Sequence, residues 1–420
     1  MKNLVIFHME SLSNSIFRMN PEFFPNINKW ASQMETYTNY YSSATSTLMV
    51  IADLFYGDMN LFEESKYLED VFYMKPQKSS LFDELYKRGY STYSLYYGLS
   101  KGENEDRRKM QKIIAAEGKS WYGDNQDELE IEFGKIIDED EPFAIFIEDG
   151  ASHISYKGKR VAKEKDYGNR LYQERYKAID KTVGLIFDLL VVNKEIDNTV
   201  VLLYGDHGEE YWFHGLYEGY THAIEPFTSV MNCPLFVFDS SHSKGANTRL
   251  IGTEDLANLI KTKLGIEKEI NEKKYVFSRN LFANQIKRTF IFNKAYAVTD
   301  GEYTLIMTKK GLAMFLNKID PYNQKNILDF FDYKNGRIVY RKEFDLMISS
   351  HYKNFMNQGQ KQEIIDEFQI LRQALKEKVN SLPGRYKIQK IDKIQPGTRK
   401  IIFHKELIKN RLLIRLTDKK

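Results

Sequence analysis

The sequence predicts an α/β fold, in which helices flank a mainly parallel sheet, with a small C-terminal antiparallel sheet and a basic C-terminal tail. Short apolar runs alternate with stretches of helical spacing over most of the 420 residues, which is typical of a parallel sheet covered on both faces. After about residue 285, short strands follow one another directly. We therefore expect an α/β domain over residues 1–285, an antiparallel sheet subdomain over 286–345, and a helical and basic extension over 346–420.

Five apolar runs predict the strands of the large sheet, because short apolar runs bounded by polar or turn residues are typical of buried strands. They are "LVIF" at 4–7, "YSTYSLYYG" at 90–98, "PFAIFIED" at 142–149, "TVVLLYGD" at 199–206 and "CPLFVFD" at 233–239. Helical spacing fills the intervals. The segment "SSLFDELYKRGY", for example, predicts a helix that begins at Ser79 or Ser80 and ends at Gly89.

The C-terminal third has a different pattern. The stretch "TFIFNKAYAVTDGEYTLIMTKKGLAMFL" predicts a meander whose strands are joined by turns at Asp300–Gly301 and Lys310–Gly311. Helical spacing from 358 to 380 predicts one long helix, which Pro383–Gly384 ends. Residues 384–420 carry 12 Lys and Arg against 3 Asp and Glu. This tail predicts either contact with an anionic membrane surface or a solvated basic face that packs on the rest of the chain.

The composition excludes several classes of protein. The 61 basic side chains nearly balance 58 acidic ones, so we expect no nucleic-acid partner. Cys233 is the only cysteine, which excludes an internal disulfide and a multi-thiolate metal site. Any bound metal must therefore use oxygen and nitrogen ligands. The N-terminal apolar run is too short for a signal segment or a membrane span, so we expect a cytoplasmic protein.

Polar residues at the ends of the predicted strands mark a candidate metal site. The first strand is followed by Glu10, and the run at 199–206 ends in Asp206 and His207. Loops at the carboxyl ends of parallel strands converge on one crevice, and two carboxylates and an imidazole suit a divalent cation such as Zn²⁺, Mn²⁺ or Mg²⁺. The alternative is that these are solvated loop acids and a packed surface histidine. The run at 142–149 adds Glu148, Asp149 and then His153.

Hydroxyl side chains crowd the residues before the predicted helix "LMVIADLFYG", and these are Ser42, Ser43, Thr45, Ser46 and Thr47. The free N–H groups and the dipole at a helix N-terminus favour an anion such as a phosphate or sulfate ester. The alternative is an ordinary helix cap, since Ser and Thr are favoured cap residues. The residues alone leave both interpretations open.

The chain resembles the alkaline phosphatase and sulfatase superfamily along nearly its whole length. "NLVIFHMES" is similar to the first metal-binding strand, "FPNINKWASQMETYTNYYSSATST" to the helix that leads to the nucleophile, and "TVVLLYGDHGE" to the strand that precedes the Asp-His-Gly-Glu metal signature. "YAVTDGEYTLIMTKKGLAMFLNKIDPYNQKNIL" is similar to the small C-terminal sheet of sulfatases. The resemblance implies an alkaline-phosphatase-like fold and a metal-dependent enzyme.

Within that superfamily, the chain most resembles the phosphoethanolamine transferases and lipoteichoic acid synthases. Sulfatases convert a Cys or Ser within Cys/Ser-x-Pro-x-Arg to formylglycine, and no such motif occurs among the nucleophile candidates at 42–47. Thr47, ten residues before Gly57, resembles the threonine nucleophile of those transferases, with Thr45 as the alternative. The resemblance implies metal ligation by Glu10, Thr47, Asp206 and His207, with Mn²⁺ or Zn²⁺ as the first candidates and Mg²⁺ or Ca²⁺ as the others.

Histidines complete the site that the resemblance implies. His153 in "DGASHISY" resembles the substrate histidine of the transferases, with a catalytic and substrate-binding role. His214 and His222 compete for a second such position, and we favour His222 as the catalytic one. The transferases have neutral residues where this chain has Glu148 and Asp149. A second metal, a cationic substrate group or a salt-bridged loop would account for these two acids, and we favour the salt bridge.

The sequence thus predicts a metal-dependent phosphotransferase that acts on phosphoglycerol- or phosphoethanolamine-type phosphodiesters through a phospho-threonine intermediate, in surface polysaccharide assembly. The partners expected are a phosphate-ester donor and a glycan or lipid-linked glycan acceptor, with the basic tail on the inner face of the membrane. One alternative is a hydrolase of phospho- or sulfo-esters. Another is a non-catalytic glycan-binding member of the superfamily.

Overall fold

The structure is a computed structural model of the chain. It describes residues 1–58, 68–73, 76, 78–139, 142–153, 170–209, 222, 225–242, 244–267, 272–280, 295–308, 311–323, 326–334, 337–340 and 358–381. Within these residues the chain forms a large mixed sheet flanked by helices and a small antiparallel sheet, so the predicted fold class is confirmed.

The large sheet has eight strands among the described residues, in the order β4-β3-β5-β1-β6-β7-β2-β8. Strand β7 is antiparallel to both of its neighbours, and the other pairs are parallel. The strands are β1 (Asn3–Met9), β2 (Glu35–Tyr41), β3 (Ser91–Tyr97), β4 (Lys119–Gly123), β5 (Phe143–Asp149), β6 (Thr199–Gly205), β7 (Leu235–Phe238) and β8 (Gly245–Gly252).

The five predicted strands coincide with β1, β3, β5, β6 and β7. The sequence analysis did not predict β2, β4 or β8. These three include polar, partly exposed stretches, such as "KSWYG" in β4, and β4 and β8 are the edges of the sheet. Edge strands carry one-sided or weak apolar patterns, which is why an apolar-run criterion does not find them.

Helices cover both faces of the sheet. They are α1 (Asn14–Met19), α2 (Pro25–Ala31), α3 (Thr47–Tyr56), α4 (Leu81–Tyr86), α5 (Lys101–Ile114), α6 (Gln126–Ile137), α7 (Arg170–Val192), α8 (Thr228–Met231), α9 (Leu256–Lys263) and α10 (Gln358–Ser381). Ser80 caps α4 as predicted, because it accepts from the Asp83 N–H, whereas the helix ends at Tyr86 and Gly89, with φ 91°, lies in the turn that follows. None of the described helices is long and apolar enough to cross a membrane.

The alternation of β1 divides the apolar core into two layers. Leu4 and Ile6 belong to the cluster beneath α3, α4 and α9, whereas Val5 and Phe7 belong to the cluster beneath α2, α6 and α7. All four are fully buried. Because side chains alternate along a strand, His8 lies on the face of Leu4 and Ile6. That face also carries helix α3.

The small sheet has the order β12-β11-β10-β9, with antiparallel pairing throughout. Its strands are β9 (Val276–Asn280), β10 (Ala295–Thr299), β11 (Tyr303–Thr308) and β12 (Gly311–Leu316), and a separate hairpin pairs β13 (Phe331–Lys334) with β14 (Arg337–Tyr340). The predicted meander and its Asp300–Gly301 turn are confirmed, and Gly301 has φ 96°. The small sheet already includes residues 276–280, which precede residue 286.

The predicted helix at 358–380 corresponds to α10, which packs on the small sheet through Phe368 and Leu371. Lys310, Pro383–Gly384 and the basic residues 384–420 lie outside the described residues. The proposed partition at 285 and 345 and the role of the basic tail stay predictions.

Candidate active site

The carboxyl ends of β1 and β6 place Glu10, Asp206 and His207 side by side. The two strands pair in parallel with Met9 opposite Gly205, so the residues after them leave the sheet at the same point. All three side chains are 0% exposed. The alternative of solvated loop acids and a surface histidine is therefore wrong. Burial of two carboxylates at one point requires a compensating positive charge.

Two glycines of the "YGDHG" stretch allow the loops after β1 and β6 to lie against each other. A Cβ atom at Gly205 would lie 2.2 Å from the Leu12 carbonyl oxygen, and one at Gly208 would lie 2.6 Å from the Ser13 Cβ. No other residue type fits at such distances without moving the backbone. The glycines therefore bring Asp206 and His207 close to the residues that follow Glu10.

Asp206 is fixed through one of its oxygens and is free at the other. Its Oδ1 accepts hydrogen bonds from the backbone N–H groups of Ser11 at 2.8 Å and His207 at 2.7 Å. Its Oδ2 is buried, makes no hydrogen bond, and lies 3.1 Å from His207 Nε2. The backbone thus aims one unpaired carboxylate oxygen into the cluster.

Helix α3 brings a hydroxyl to the same point. Thr47 is the first residue of α3, after Ser46, whose side chain makes no capping hydrogen bond. Thr47 Oγ1 lies 3.2 Å from Glu10 Oε2 and 3.2 Å from His207 Nε2. Thr45 Oγ1 is buried and has no hydrogen-bond partner. The geometry favours Thr47 over Thr45 as the hydroxyl of this site.

The four predicted ligands fit a divalent cation. One ligand atom each from Glu10, Asp206 and His207 lie within 4.8 Å of one another, and Thr47 Oγ1 lies between Glu10 and His207. The buried Asp206 Oδ2 makes no hydrogen bond, and such an atom is stabilised by a facing cation. Two carboxylates, a hydroxyl and an imidazole are donors that Zn²⁺ and Mn²⁺ accept. Mg²⁺ and Ca²⁺ would use the oxygens.

His8 is a fully buried member of the cluster that the sequence analysis did not identify. Its Nδ1 lies 2.7 Å from the Tyr204 hydroxyl. Its Nε2 lies 3.4 Å from Asp206 Oδ2 and 3.6 Å from Glu10 Oε2, and makes no hydrogen bond. A polar residue within the apolar run of β1 was the available signal, because alternation alone places it on the face of α3.

The charges in the cluster shift each other's pKa values. Burial lowers the pKa of His8, but the carboxylates of Asp206 and Glu10 outweigh burial and raise it to about 10. Burial raises the pKa of Glu10, and contact with His8 outweighs this and holds the pKa well below its ordinary value. In the protein without an ion, a proton on His8 therefore offsets part of the negative charge.

Ser11 holds the turn after Glu10 in a strained conformation. Its φ of 55° is in the left-handed region, which is unusual for a residue other than glycine. Its Oγ donates to Glu10 Oε1 at 2.8 Å and contacts Glu209 Oε1 at 3.2 Å, while its carbonyl accepts from Tyr176 at 3.1 Å. The strain and these contacts orient the Glu10 carboxylate. Neither Ser11 nor Glu209 was assigned to the site from the sequence, although Ser11 follows Glu10 and Glu209 ends the Asp-His-Gly-Glu signature.

His222 lies against the cluster, next to His207. The two ring centroids are 4.3 Å apart, and His222 Nδ1 lies 2.9 Å from Glu209 Oε1. Burial lowers the pKa of His222, but Glu209 outweighs burial and raises it. Burial lowers the pKa of His207, which favours the neutral form of that imidazole. His214, the competing histidine, lies outside the described residues.

His153 lies on the solvent side of His222, with the ring centroids 5.8 Å apart. Its Nδ1 is 2.5 Å from Glu103 Oε1, an acid that the sequence analysis did not identify. Burial lowers the pKa of His153, and the Glu103 carboxylate outweighs burial and raises it to about 9. The side chain of His153 is 18% exposed, that of His222 is 16%, and that of His207 is 0%. The three imidazoles thus lead from solvent to the buried cluster.

Glu148 forms the expected salt bridge, although it lies in β5 and not in a loop. The Arg107 guanidinium contacts both carboxylate oxygens, with Nε 2.7 Å from Oε2. Asp149 instead accepts hydrogen bonds from the Ala151 N–H at 2.9 Å and the Thr182 hydroxyl at 2.8 Å. Burial raises the pKa of Asp149 to about 7. Neither acid is aimed at a substrate cation in this arrangement.

Comparison with known proteins places these features in context. The chain matches the family model described as "Sulfatase" over residues 2–266. A search of curated proteins finds no significant match.

Solved structures share the fold at low sequence identity. A protein in the alkaline phosphatase superfamily from Vibrio parahaemolyticus is 12% identical, with a TM-score of 0.55 and coverage of 81% of this chain and 82% of that one. The PsFucS1 sulfatase from Pseudoalteromonas sp. is 14% identical, with a TM-score of 0.53 and coverage of 78% and 86%. The 2-O GAG sulfatase BT1596 is 14% identical, with a TM-score of 0.58 and coverage of 94% and 97%. At these identities the likeness concerns the fold.

Proposed function

This chain belongs to the sulfatase family, and from that premise we propose that it is a metal-dependent phosphotransferase with Thr47 as its nucleophile. The substrate proposed is a substituted phosphodiester of the phosphoglycerol or phosphoethanolamine type, and the intermediate is a phospho-threonine. One observation carries the proposal. Thr47 Oγ1 lies 3.2 Å from both Glu10 Oε2 and His207 Nε2, in a buried cluster of two carboxylates.

The residues proposed to hold the ion are Glu10, Thr47, Asp206 and His207. A divalent cation bound there supplies a Lewis acid for a phosphoryl oxygen and makes the threonine hydroxyl easier to deprotonate. The protein itself also favours deprotonation of Thr47, because the Thr47 hydroxyl donates to the Glu10 carboxylate. Glu10 Oε2, at 3.2 Å, is an acceptor within reach of the proton that Thr47 must lose.

In the first step, Thr47 Oγ forms a bond to phosphorus and the bond between phosphorus and the leaving alcohol oxygen breaks. The leaving oxygen needs a proton, and an imidazolium is the appropriate donor. The pKa of His153 is raised to about 9, so this imidazole is protonated near neutral pH, and Glu209 shifts the pKa of His222 in the same direction. In the second step, an acceptor hydroxyl forms a bond to phosphorus and gives its proton to the imidazole that was deprotonated in the first step. The bond between phosphorus and Thr47 Oγ breaks, and Glu10 returns the proton to Thr47.

The residues around the proposed nucleophile argue against hydrolysis of sulfate esters through a formylglycine. The residues around Thr47, "SSATSTLMV", contain neither Pro nor Arg and no cysteine. Cys233 is fully buried near β7, and burial raises the pKa of its thiol well above the ordinary value. A formylglycine precursor is therefore missing at the position where the metal cluster needs it.

Water and an acceptor hydroxyl would attack the same phospho-threonine. The partition between transfer and hydrolysis therefore depends on which of them the site admits beside His153 and His222. We propose a glycan or lipid-linked glycan acceptor in surface polysaccharide assembly, with the basic residues 384–420 directing the protein to the inner face of a membrane. This segment has 12 basic and 3 acidic residues, which supports the proposed contact with a membrane.

A second candidate function is hydrolysis of phospho- or sulfo-esters. The solved structures with the same fold include two named as sulfatases, which favours this alternative. The non-catalytic glycan-binding alternative has less support, because a protein that only binds glycan does not need a buried hydroxyl between a carboxylate and an imidazole.

The test uses bis(p-nitrophenyl) phosphate with Mn²⁺ or Zn²⁺, with glycerol as an added acceptor. We expect wild-type protein to release p-nitrophenol and to carry an adduct on residue 47, seen by intact mass and peptide mapping. Thr47→Ala should lose the adduct and at least about 10³-fold in turnover, as for other removed nucleophiles. Thr45→Ala is the matched control and should keep both.

The outcomes separate the candidates. A glycerol phosphodiester product identifies a transferase, whereas release of p-nitrophenyl phosphate alone identifies a hydrolase. Turnover that survives in Thr47→Ala moves the nucleophile elsewhere and contradicts the proposal. Activity on p-nitrophenyl sulfate without activity on the phosphodiester would establish the second candidate in its sulfatase form.

A further inference from the structure

His8 occupies a position next to the four proposed ligands without a role in the reaction described above. In the paired strands, His8 lies opposite Tyr204 of β6 on one side and Glu148 of β5 on the other. Its ring is fully buried on the face of the sheet that carries α3. It therefore approaches Glu10 and Asp206 from within the sheet, whereas His222 lies against His207.

The distances around His8 Nε2 are those expected between ligands of one ion. Five ligands about 2.0–2.1 Å from one ion lie about 2.9–3.6 Å from their neighbours, and about 4.1 Å from a ligand on the opposite side. His8 Nε2 lies 3.4 Å from Asp206 Oδ2 and 3.6 Å from Glu10 Oε2. The corresponding distances from His207 Nε2 are 3.1 Å to Asp206 Oδ2 and 3.9 Å to Glu10 Oε1. The two imidazoles are thus placed alike relative to the two carboxylates.

The other nitrogen of His8 is held as a metal-binding histidine requires. Ligand histidines commonly hydrogen-bond through the second ring nitrogen, which fixes the ring and the tautomer. His8 Nδ1 lies 2.7 Å from the Tyr204 hydroxyl, and the Tyr204 ring meets the His8 ring edge-on at 5.1 Å. His8 Nε2 is buried without a hydrogen bond, and so is Asp206 Oδ2, which it faces.

A separate ion between His8 and Glu148 is a less suitable arrangement. His8, Glu10 and Glu148 also form a group of ligand-type atoms. However, the Arg107 guanidinium already contacts both oxygens of Glu148, so the negative charge there is compensated. A second divalent ion at that point would be repelled by Arg107. The carboxylate oxygen near His8 that lacks a hydrogen bond is Asp206 Oδ2.

We propose that His8 Nε2 is a fifth ligand of the ion held by Glu10, Thr47, Asp206 and His207, so that two imidazoles bind it. The inference rests on the proposed function, since it concerns the same metal site. A second nitrogen ligand shifts the preference of the site toward Zn²⁺ or Mn²⁺ and away from Ca²⁺ and Mg²⁺, which favour oxygen.

The test counts nitrogen ligands directly, with no measurement of activity. The full-length protein is loaded with one equivalent of Mn²⁺, and nitrogen couplings are recorded by electron–nuclear double resonance. We expect two directly bound imidazole nitrogens in wild type and one in His8→Gln. The matched control is His242→Gln, which removes an imidazole that is paired with Asp239 and lies outside the cluster. That variant should keep both nitrogens.

The wild-type spectrum decides the question even if His8→Gln does not fold. A single bound nitrogen in wild type overturns the inference and leaves the proposed function standing on His207 alone. Two bound nitrogens that persist in folded His8→Gln also overturn it. If wild type binds no Mn²⁺, the proposed function fails with it. Equilibrium dialysis with Zn²⁺ provides the second readout, in which His8→Gln should weaken binding at least about 10-fold.

Discussion

Two buried groups of charged side chains lie along helix α3, and their charges are compensated in different ways. Toward the end of α3, the Asp53 carboxylate receives the Arg279 guanidinium from β9, at 2.6 Å and 2.9 Å, together with the Ser43 hydroxyl. At the start of α3, the Thr47 hydroxyl contacts the Glu10 carboxylate, and the neighbouring Asp206 carboxylate faces the imidazoles of His8 and His207.

The difference lies in the kind of cation. An arginine remains charged at every accessible pH, so Arg279 permanently compensates Asp53. An imidazole carries charge only with a proton, and it becomes a metal ligand when the proton leaves. The carboxylates near Thr47 therefore have a compensating charge that an ion can replace. A buried acid with an arginine partner indicates a structural role, and a buried acid with histidine partners indicates a metal site.

The largest expected effect concerns the structural pair. Arg279→Met should lower the free energy of unfolding by about 3–5 kcal/mol, because it leaves the Asp53 carboxylate buried without a cation. Urea unfolding followed by circular dichroism measures this change. The double variant Asp53→Leu/Arg279→Met removes both charges and should recover most of the loss.

The control for this pair is a surface ion pair. Lys135 lies 3.0 Å from Glu132, and its side chain is 66% exposed, so Lys135→Met should change the free energy of unfolding by less than about 0.5 kcal/mol. If Arg279→Met is equally mild, the assignment of the Asp53–Arg279 pair to a structural role is wrong.

The pair of His153 and Glu103 joins an acid to an imidazole at a partly exposed position, so we expect its disruption to have a smaller effect than the loss of Arg279. The pKa of His153 is raised to about 9 and that of Glu103 is lowered to about 2. Stabilisation by this pair is therefore lost as the pH rises through about 9 or falls through about 2. In the metal-free protein, Glu103→Gln should lower the pKa of His153 by about 1 to 2 pH units, because it removes the facing carboxylate.

Nuclear magnetic resonance titration of the His153 ring measures that pKa. The matched control is Glu105→Gln on the same helix, whose acid pairs with Arg108 and should leave the His153 titration unchanged. An unchanged midpoint in Glu103→Gln would show that the contact with Glu103 does not hold the proton on His153.

Much of the fold was predictable because its central strands are uniformly apolar. The runs at 4–7, 142–149 and 199–206 are the buried strands β1, β5 and β6, and β1 lies between the other two in the sheet. The antiparallel direction of β7 was not predictable, because an apolar run has no direction. The strand β2, "ETYTNYY", was missed because its buried and partly exposed residues do not alternate regularly.

The site was predictable where residues follow strands and unpredictable where they lie within them or come from distant helices. Glu10, Asp206 and His207 follow predicted strands, and the resemblance added Thr47. His8 lies inside β1, and its position toward Glu10 depends on the twist and register of three strands. Glu103 and Arg107 come from α5, whose approach to β5 is set by packing and has no signal in the local sequence.

The most direct test of the account is to count divalent ions per chain in two matched variants. Equilibrium dialysis against Mn²⁺, with metal analysis, should find one ion per chain in wild type and none in Asp206→Asn, because the buried, unpaired Oδ2 is lost as an anionic ligand. Asp53→Asn is the control. It changes a buried carboxylate on α3, the helix of Thr47, and Arg279 compensates the charge of that carboxylate, so the folded variant should still bind one ion. Wild type without a bound ion, or Asp206→Asn that binds as tightly as wild type, would contradict the account.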